Sequence, residues 1–123
     1  METCVKTLPC QDDIIAWKPT GSYIICSPPV ENTDRDILIH VKDVHRVDTE
    51  LSKQDWELCG KDYPRQEEFG FVAYRKGIYN LIVTSNENYF YLFSQATDLA
   101  KKLNLKEKQQ RIDLFHYIIE SQI

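Results

Sequence analysis

The sequence is poor in glycine and proline and lacks long apolar runs. Glycine occurs four times and proline five times in 123 residues, which excludes a collagen-like chain. No apolar stretch approaches the ~20 residues of a membrane-spanning helix. The first residues lack the basic-then-apolar layout of a signal peptide, and Glu2 stands where myristoylation needs glycine. These absences predict a cytoplasmic protein with no membrane partner.

The sequence also lacks closely paired cysteines. The cysteines and histidines are scattered along the chain: Cys4, Cys10, Cys26, Cys59, His40, His45 and His116. Structural zinc sites use ligands at short, regular spacings such as C-x2-C, so we expect no zinc centre. Because the chain shows no secretory signal, we expect free thiols in a reducing cytosol.

The composition is that of a globular protein of modest size. Apolar residues make up 42% and charged residues 28%, and 15 Lys+Arg against 19 Asp+Glu leave a formal charge of −4. The length predicts a single domain over residues 1–123. Mild acidity is unfavourable for a protein that coats nucleic acid, although it leaves nucleic acid open as a partner. It does not exclude nucleotide chemistry, since carboxylates that hold metal ions are acidic.

Hydrophobic periodicity predicts an α+β chain with a small mixed β-sheet covered by helices. The predicted elements are helix 11–18, strand 22–26, strand 34–41, helix 43–58, strand 71–75, strand 78–84, and two final helices with apolar stripes over 89–103 and 105–119. Loops are predicted at 27–33 and 61–69, a helix end at Gly60, a hairpin turn at Lys76-Gly77, and a break at Asn104. In strand 34–41, alternation places Ile37, Ile39 and Val41 on one face and Asp34, Asp36, Leu38 and His40 on the other.

Two carboxylates form the clearest candidate site. Asp34 and Asp36 are two residues apart on a predicted strand, so their side chains point the same way. Two such carboxylates repel each other unless a cation lies between them, and Mg²⁺ or Mn²⁺ bound by carboxylates commonly also holds substrate phosphates. Upstream, Gly21 lets the backbone approach a ligand, and the amide and hydroxyl of Ser22 can hold a phosphate. A bare D-x-D is also common at strand starts and in turns, so the pair alone leaves both interpretations open.

The ordered set of motifs resembles the nucleotidyltransferase superfamily of the DNA polymerase β type, in which a Gly-Ser turn precedes D-x-D/E and a third carboxylate stands on a later strand. It is similar in more detail to small bacteriophage-encoded nucleotidyltransferase-like proteins. The segments that carry the resemblance span residues 20–115 and are Gly21-Ser22, Cys26-Ser27-Pro28-Pro29, Thr33-Asp34-Arg35-Asp36, Arg75-Lys76-Gly77, Asn80-Leu81-Ile82-Val83-Thr84, Ala96-Thr97 and Arg111-Ile112-Asp113-Leu114-Phe115.

This resemblance implies a minimal nucleotidyltransferase-like fold with a Mg²⁺-dependent nucleotide site. Asp34 and Asp36 would be the metal ligands, and Gly21 and Ser22 would form the phosphate-contacting turn. Asn80 stands nearest to the position of the third catalytic carboxylate. An amide oxygen can ligate a metal, but it cannot take a proton from an attacking hydroxyl. Pro28-Pro29 also makes the long helix that usually follows Gly-Ser incompatible with this chain.

Two interpretations of function follow from the resemblance. The first is Mg²⁺-dependent binding of a nucleoside triphosphate, with nucleotidyl transfer to an acceptor. The second is a catalytically inactive protein of the same fold that binds a host protein in RNA metabolism or antiviral defence. A toxin–antitoxin role is a third interpretation, with weaker support than the other two.

Four further residues have two interpretations each. Arg75 and Lys76 at the hairpin tip either meet phosphates or are solvated. His40 either assists the site or is a buried strand histidine, and Arg111 either faces an anionic ligand or is a surface charge.

Overall fold

The computed structural model describes residues 1–29, 33–59 and 72–121. The elements in chain order are α1 (Glu2–Lys6), a 3₁₀ turn (Gln11–Asp13), β1 (Ile14–Thr20), α2 (Ser22–Ile25), β2 (Arg35–Val41), α3 (Val44–Ser52), β3 (Glu57–Cys59), β4 (Val72–Lys76), β5 (Tyr79–Thr84), α4 (Glu87–Leu103) and α5 (Lys108–Ser121). None of the helices in these parts of the chain has the length and apolar character needed to cross a membrane.

Five strands form one mixed sheet in the order β1-β2-β5-β4-β3. The central strands β2 and β5 are parallel, and the other pairs are antiparallel. Both central strands are apolar and buried on both faces over most of their length, as expected where helices cover the two faces of a sheet. This confirms the predicted α+β class with a small mixed sheet covered by helices.

Alternation along β2 divides the core into two layers, as the sequence predicts. Ile37, Ile39 and Val41 pack on the face that meets α1 and α3. Leu38 faces the opposite layer, where it packs with residues of β5, α4 and α5. His40, on the same face as Leu38, is buried and stacks on Phe90 at 5.5 Å between ring centroids. His40 is therefore a buried strand histidine.

The two C-terminal helices form as predicted and meet at Asn104. Asn86 caps the start of α4 by accepting a hydrogen bond from the Tyr89 amide at 2.9 Å. Asn104 ends α4 in the left-handed conformation with φ 50°. The helix α5 then turns back along α4, and the Phe93 and Phe115 rings meet edge to face at 4.8 Å.

The N-terminal predictions were wrong. Residues 14–20 form strand β1 where a helix over 11–18 was expected, because they pair with β2 along most of its length. Pro19 is compatible with this strand, since β1 lies at the sheet edge. Residues 22–25 form the one-turn helix α2 where a strand over 22–26 was expected. The Ile25 amide bonds the Gly21 carbonyl at 2.9 Å, and burial of Ile25 outweighs the strand preference of its β-branched side chain.

Two boundaries also differ from the predictions. The helix expected over 43–58 ends at Ser52, and Glu57–Cys59 forms strand β3 against β4. Asp55, with φ 65°, turns the chain between them. The hairpin turn lies at residues 77–78, one position later than expected, because Lys76 still pairs with Tyr79. The predicted helix end at Gly60 and the loop 61–69 lie outside the described residues.

Candidate functional site

The sheet register brings distant polar residues into one line, which we call the polar row. Thr20 pairs with Asp36, Asp36 with Asn80, Asn80 with Arg75, and Arg75 with Glu57. Residues opposite one another on adjacent strands project from the same face of a sheet. The register therefore explains how residues from five separate stretches of sequence come together.

A cleft of about 480 Å³ opens over this row, at the end of β1 and the starts of β2 and β5. Six of the seven residues predicted for the site line it: Gly21, Ser22, Asp34, Asp36, Arg75 and Asn80. Lys76 does not; its Nζ donates to the Gln54 carbonyl at 2.9 Å and lies 5.9 Å from the Trp56 ring centroid. Lys76 therefore belongs to the opposite side of the hairpin.

Gly21 and Asp36 are in direct contact. Gly21 has φ 81° and ψ 179°, a region of backbone space open almost only to glycine. A Cβ built on Gly21 would lie 2.0 Å from Asp36 Oδ2. The carboxylate therefore rests against the bare backbone of Gly21, and any side chain there would displace it.

The surroundings of Asp36 favour its neutral form. Burial, with a smaller contribution from the charge of nearby Asp34, raises the pKa of this carboxyl from 3.8 to about 6. The Asn80 amide donates a hydrogen bond to Asp36 Oδ1 at 3.1 Å, which with the charge of Arg75 opposes the rise in pKa. Near neutral pH the Asp36 carboxylate is charged, and its neighbours offset only part of the cost of burying that charge. A bound cation would therefore stabilise the charged form.

Asn80 is buried between Asp36 and Cys59. Its Nδ2 faces Asp36, while its Oδ1 accepts a hydrogen bond from the Cys59 thiol at 3.4 Å. Only the amide oxygen can ligate a metal, and in this arrangement it is directed to the thiol. Asn80 therefore acts as a hydrogen-bond donor to Asp36.

Asp34 and Ser22 each have a partner within the cleft. Arg75 forms an ion pair with Asp34, whose side chain is 39% exposed. The Ser22 hydroxyl lies 2.9 Å from the Thr33 hydroxyl. The Arg75–Asp34 pair is partly exposed, so an incoming anion can exchange with it.

The helix α5 supplies a second wall that sequence reasoning largely missed. Its cleft-lining residues occur at helical spacing on one face: Lys108, Arg111, Ile112, Phe115 and His116. Arg111, for which two interpretations were open, lines the cleft and also donates to the carbonyls of Leu105 and Lys106 at 3.0 and 2.8 Å. The spacing of these residues is visible in the sequence. No sequence pattern, however, indicates that this face of α5 packs over the ends of the strands.

The described lining of the cleft is more cationic than the chain as a whole. Three permanent cations, Arg75, Lys108 and Arg111, face two carboxylates, although the whole chain carries a formal charge of −4. Cationic side chains gathered in a cleft favour anionic ligands, and phosphates in particular.

The donor set fits one hydrated Mg²⁺ better than a pair of ions. Mg²⁺ in nucleotide sites commonly takes one or two carboxylates and fills its remaining positions with water and substrate phosphates. Asp34 and Asp36 can supply the carboxylates. Within the described residues, no group of three or more His, Cys, Asp or Glu side chains is placed to hold a metal, and a two-metal site relies on more such ligands.

Comparison with known proteins gives one informative likeness. No family model matches the chain, and no curated protein is significantly similar to it. The crystal structure of the conserved protein GrpB from Enterococcus faecalis matches with a TM-score of 0.53 at 14% sequence identity, and the match covers 98% of this chain and 83% of the GrpB chain.

The chain shares the overall fold of this GrpB structure, and its mixed five-stranded sheet covered by helices is consistent with a small nucleotidyltransferase-like fold. At 14% identity the likeness to GrpB shows the fold alone. The function of the chain therefore depends on the residues and chemistry of the cleft.

Proposed function

We propose that the cleft binds a nucleoside triphosphate together with one Mg²⁺ ion. The observation that carries the proposal is the juxtaposition of three cations with Asp34 and Asp36 in one cleft of an acidic chain. A triphosphate is anionic enough to use the cations, and it brings the phosphate oxygens that complete the shell of a carboxylate-held Mg²⁺. The nucleotidyltransferase-like fold supports the same assignment.

Each residue has a distinct part in this proposal. Asp34 and Asp36 hold the ion, which would neutralise phosphate charge. The Ser22 hydroxyl donates to a terminal phosphate oxygen, and the bare Gly21 backbone lets the Asp36 carboxylate lie directly against it beside Ser22. Arg75 exchanges its contact with Asp34 for a contact with a phosphate. The Asp34 carboxylate is then free to bind the Mg²⁺ ion.

We propose binding, and not efficient nucleotidyl transfer, as the function. Transfer to a hydroxyl acceptor needs a group that accepts its proton. Asn80 occupies the position expected for that carboxylate, and an amide does not act as a base. The described site therefore supports recognition of the nucleotide more strongly than turnover.

The test is a thermal shift with ATP, GTP, CTP and UTP, each with and without Mg²⁺. A ligand present at 100 times its Kd stabilises the folded state by about 2.7 kcal/mol. We expect at least one nucleotide to raise Tm by several degrees when Mg²⁺ is present. Asp36→Asn should reduce the shift, whereas Asp12→Asn, an exposed acid outside the cleft, should leave it unchanged. The absence of any shift at millimolar nucleotide would refute the proposal.

One observation favours a second function. Several polar groups at the strand-end side of the cleft already have partners within the chain, since Arg75 pairs with Asp34, Asn80 donates to Asp36, and the Cys59 thiol donates to Asn80. Such internal pairing suits an inactive nucleotidyltransferase-like protein that acts by binding a host protein. If the chain affects a bacterial host, the combined Asp34→Ala and Asp36→Ala variant separates the two functions. Retention of the effect supports protein binding, and its loss in a folded variant supports the nucleotide site.

A further inference from the structure

The cleft has two walls of different polarity. The strand-end wall is polar and consists of Gly21, Ser22, Asp34, Asp36 and Arg75. The α5 wall begins with Lys108 and Arg111 and continues one turn later with Ile112, Phe115 and His116. A nucleotide shows the same division, because its phosphates are charged and its base is flat and largely apolar.

The apolar part of the α5 wall is available to a ligand. Ile112 lines the cleft and is 37% exposed, so part of its apolar surface is open to a ligand in the cleft. Phe115 beside it is half-buried and held edge to face against Phe93. A base packed here would remove the exposed surface of Ile112 from water, which is favourable by about 25 cal/mol per Å².

The α5 wall is also held in place before any ligand binds. The Asn104 side chain accepts from the Ser27 amide at 3.0 Å and donates to the Ser27 carbonyl at 3.2 Å. Arg111 ties the start of α5 to the Leu105 and Lys106 carbonyls. The Asn104 bonds connect the junction between α4 and α5 to the segment after α2, and the Arg111 bonds connect α5 to that junction. A preformed wall reduces the entropy lost on binding.

We propose that the apolar face of α5, formed by Ile112, Phe115 and His116, seats the nucleoside part of the ligand while the strand-end wall holds its phosphates. This proposal rests on the proposed nucleotide binding and assigns the orientation of the ligand within the cleft. It makes α5 the element that distinguishes a nucleotide from a simple polyphosphate.

The experiment compares two probes by isothermal titration calorimetry with Mg²⁺ present. One is the tightest-binding of the four nucleoside triphosphates, and the other is inorganic tripolyphosphate. Ile112→Ala should weaken nucleotide binding roughly tenfold, which is about 1.4 kcal/mol, and leave tripolyphosphate binding unchanged. Leu99→Ala is the matched control, because Leu99 is 38% exposed on α4 and does not line the cleft.

The outcomes separate this proposal from the one on which it rests. If neither probe binds the wild-type protein, the proposed nucleotide binding is wrong. If the nucleotide binds but no more tightly than tripolyphosphate, or if Ile112→Ala affects both probes equally or neither, the nucleoside seat on α5 is wrong and nucleotide binding stands. Thermal unfolding of each variant checks that it remains folded.

Discussion

At the residue scale, the contact between Gly21 and Asp36 links backbone conformation to the site. Gly21→Ala forces a Cβ into a region of φ and ψ that costs about 1–3 kcal/mol for a residue with a side chain. It also places that Cβ 2.0 Å from Asp36 Oδ2. We expect urea unfolding to show a larger loss of stability than strain alone produces, and nucleotide affinity to fall with it.

Gly77→Ala is the matched control for this prediction. Gly77 also has a positive φ, of 60°, but a Cβ there would meet nothing within 4 Å. The loss of stability should therefore be limited to left-handed backbone strain, about 1–2 kcal/mol. Equal losses at both glycines would show that the contact with Asp36 carries no energetic weight.

The raised pKa of Asp36 predicts a pH dependence of stability. The pKa is about 6 in the folded protein against 3.8 ordinarily, so between these values the folded state binds a proton that the unfolded state has released. Ionisation of Asp36 therefore destabilises the folded state; this loss is absent below pH 4 and grows to about 3 kcal/mol as pH rises through 6. Asp36→Asn should therefore match the wild type near pH 4 and exceed it in stability at pH 7.

Urea unfolding of both proteins from pH 4 to pH 7 measures this difference. Asp12→Asn, which changes an exposed acid away from the cleft, should follow the wild type at every pH. A difference between Asp36→Asn and the wild type that stays constant across the range would contradict the assignment to Asp36.

Asn80→Asp tests whether the site can gain a metal requirement. The new carboxylate would lie buried beside Asp36, because Asn80 Nδ2 is 3.1 Å from Asp36 Oδ1 in the wild-type protein. Two carboxylates this close repel each other unless a cation or a proton intervenes. We expect the Tm of the variant to fall in EDTA and to recover with millimolar Mg²⁺, and to do so more strongly than the wild-type Tm responds. No response to Mg²⁺ would argue against a metal position here.

At the element scale, the junction between α4 and α5 sets the position of the second cleft wall. Asn104 combines a left-handed backbone with two hydrogen bonds to Ser27. Asn104→Gly keeps the backbone freedom and removes the bonds, whereas Asn104→Ala also adds about 1–2 kcal/mol of left-handed strain. We expect both variants to bind nucleotide more weakly and the alanine variant to unfold at lower urea. A glycine variant with wild-type affinity would show that this junction does not position α5.

Elements with strong, unambiguous patterns were predictable from the sequence. The alternation in β2 and most of the apolar stripe of α4 correspond to buried faces, whereas the stripe of α5 is buried at Ile119 and exposed at Ile112. The segments 11–18 and 22–26 were predicted wrongly because short apolar runs fit both helix and strand. Pairing with β2 makes the first segment a strand, and burial of Ile25 favours a helix in the second. Both effects depend on tertiary contacts.

At the scale of the whole molecule, the cleft is a product of sheet register. The order of the motifs predicted six of its residues, from Gly21 to Asn80, because they follow the order known from a similar fold. The contribution of α5 was not predictable in the same way. It depends on the direction in which the chain leaves Asn104, and no local pattern encodes that direction.

The most direct test of the nucleotide site is an NMR titration of the ¹⁵N-labelled wild-type protein with the Mg²⁺–nucleotide complex that gives the largest thermal shift. Backbone amide shifts report where a ligand binds as well as whether it binds. We predict changes concentrated at Gly21, Ser22, Asp36 and Asn80 and along the cleft face of α5, with α3 on the opposite side of the sheet unaffected. Saturating changes confined to α3 or to the outer face of α4, or no changes at millimolar nucleotide, would contradict the proposed site.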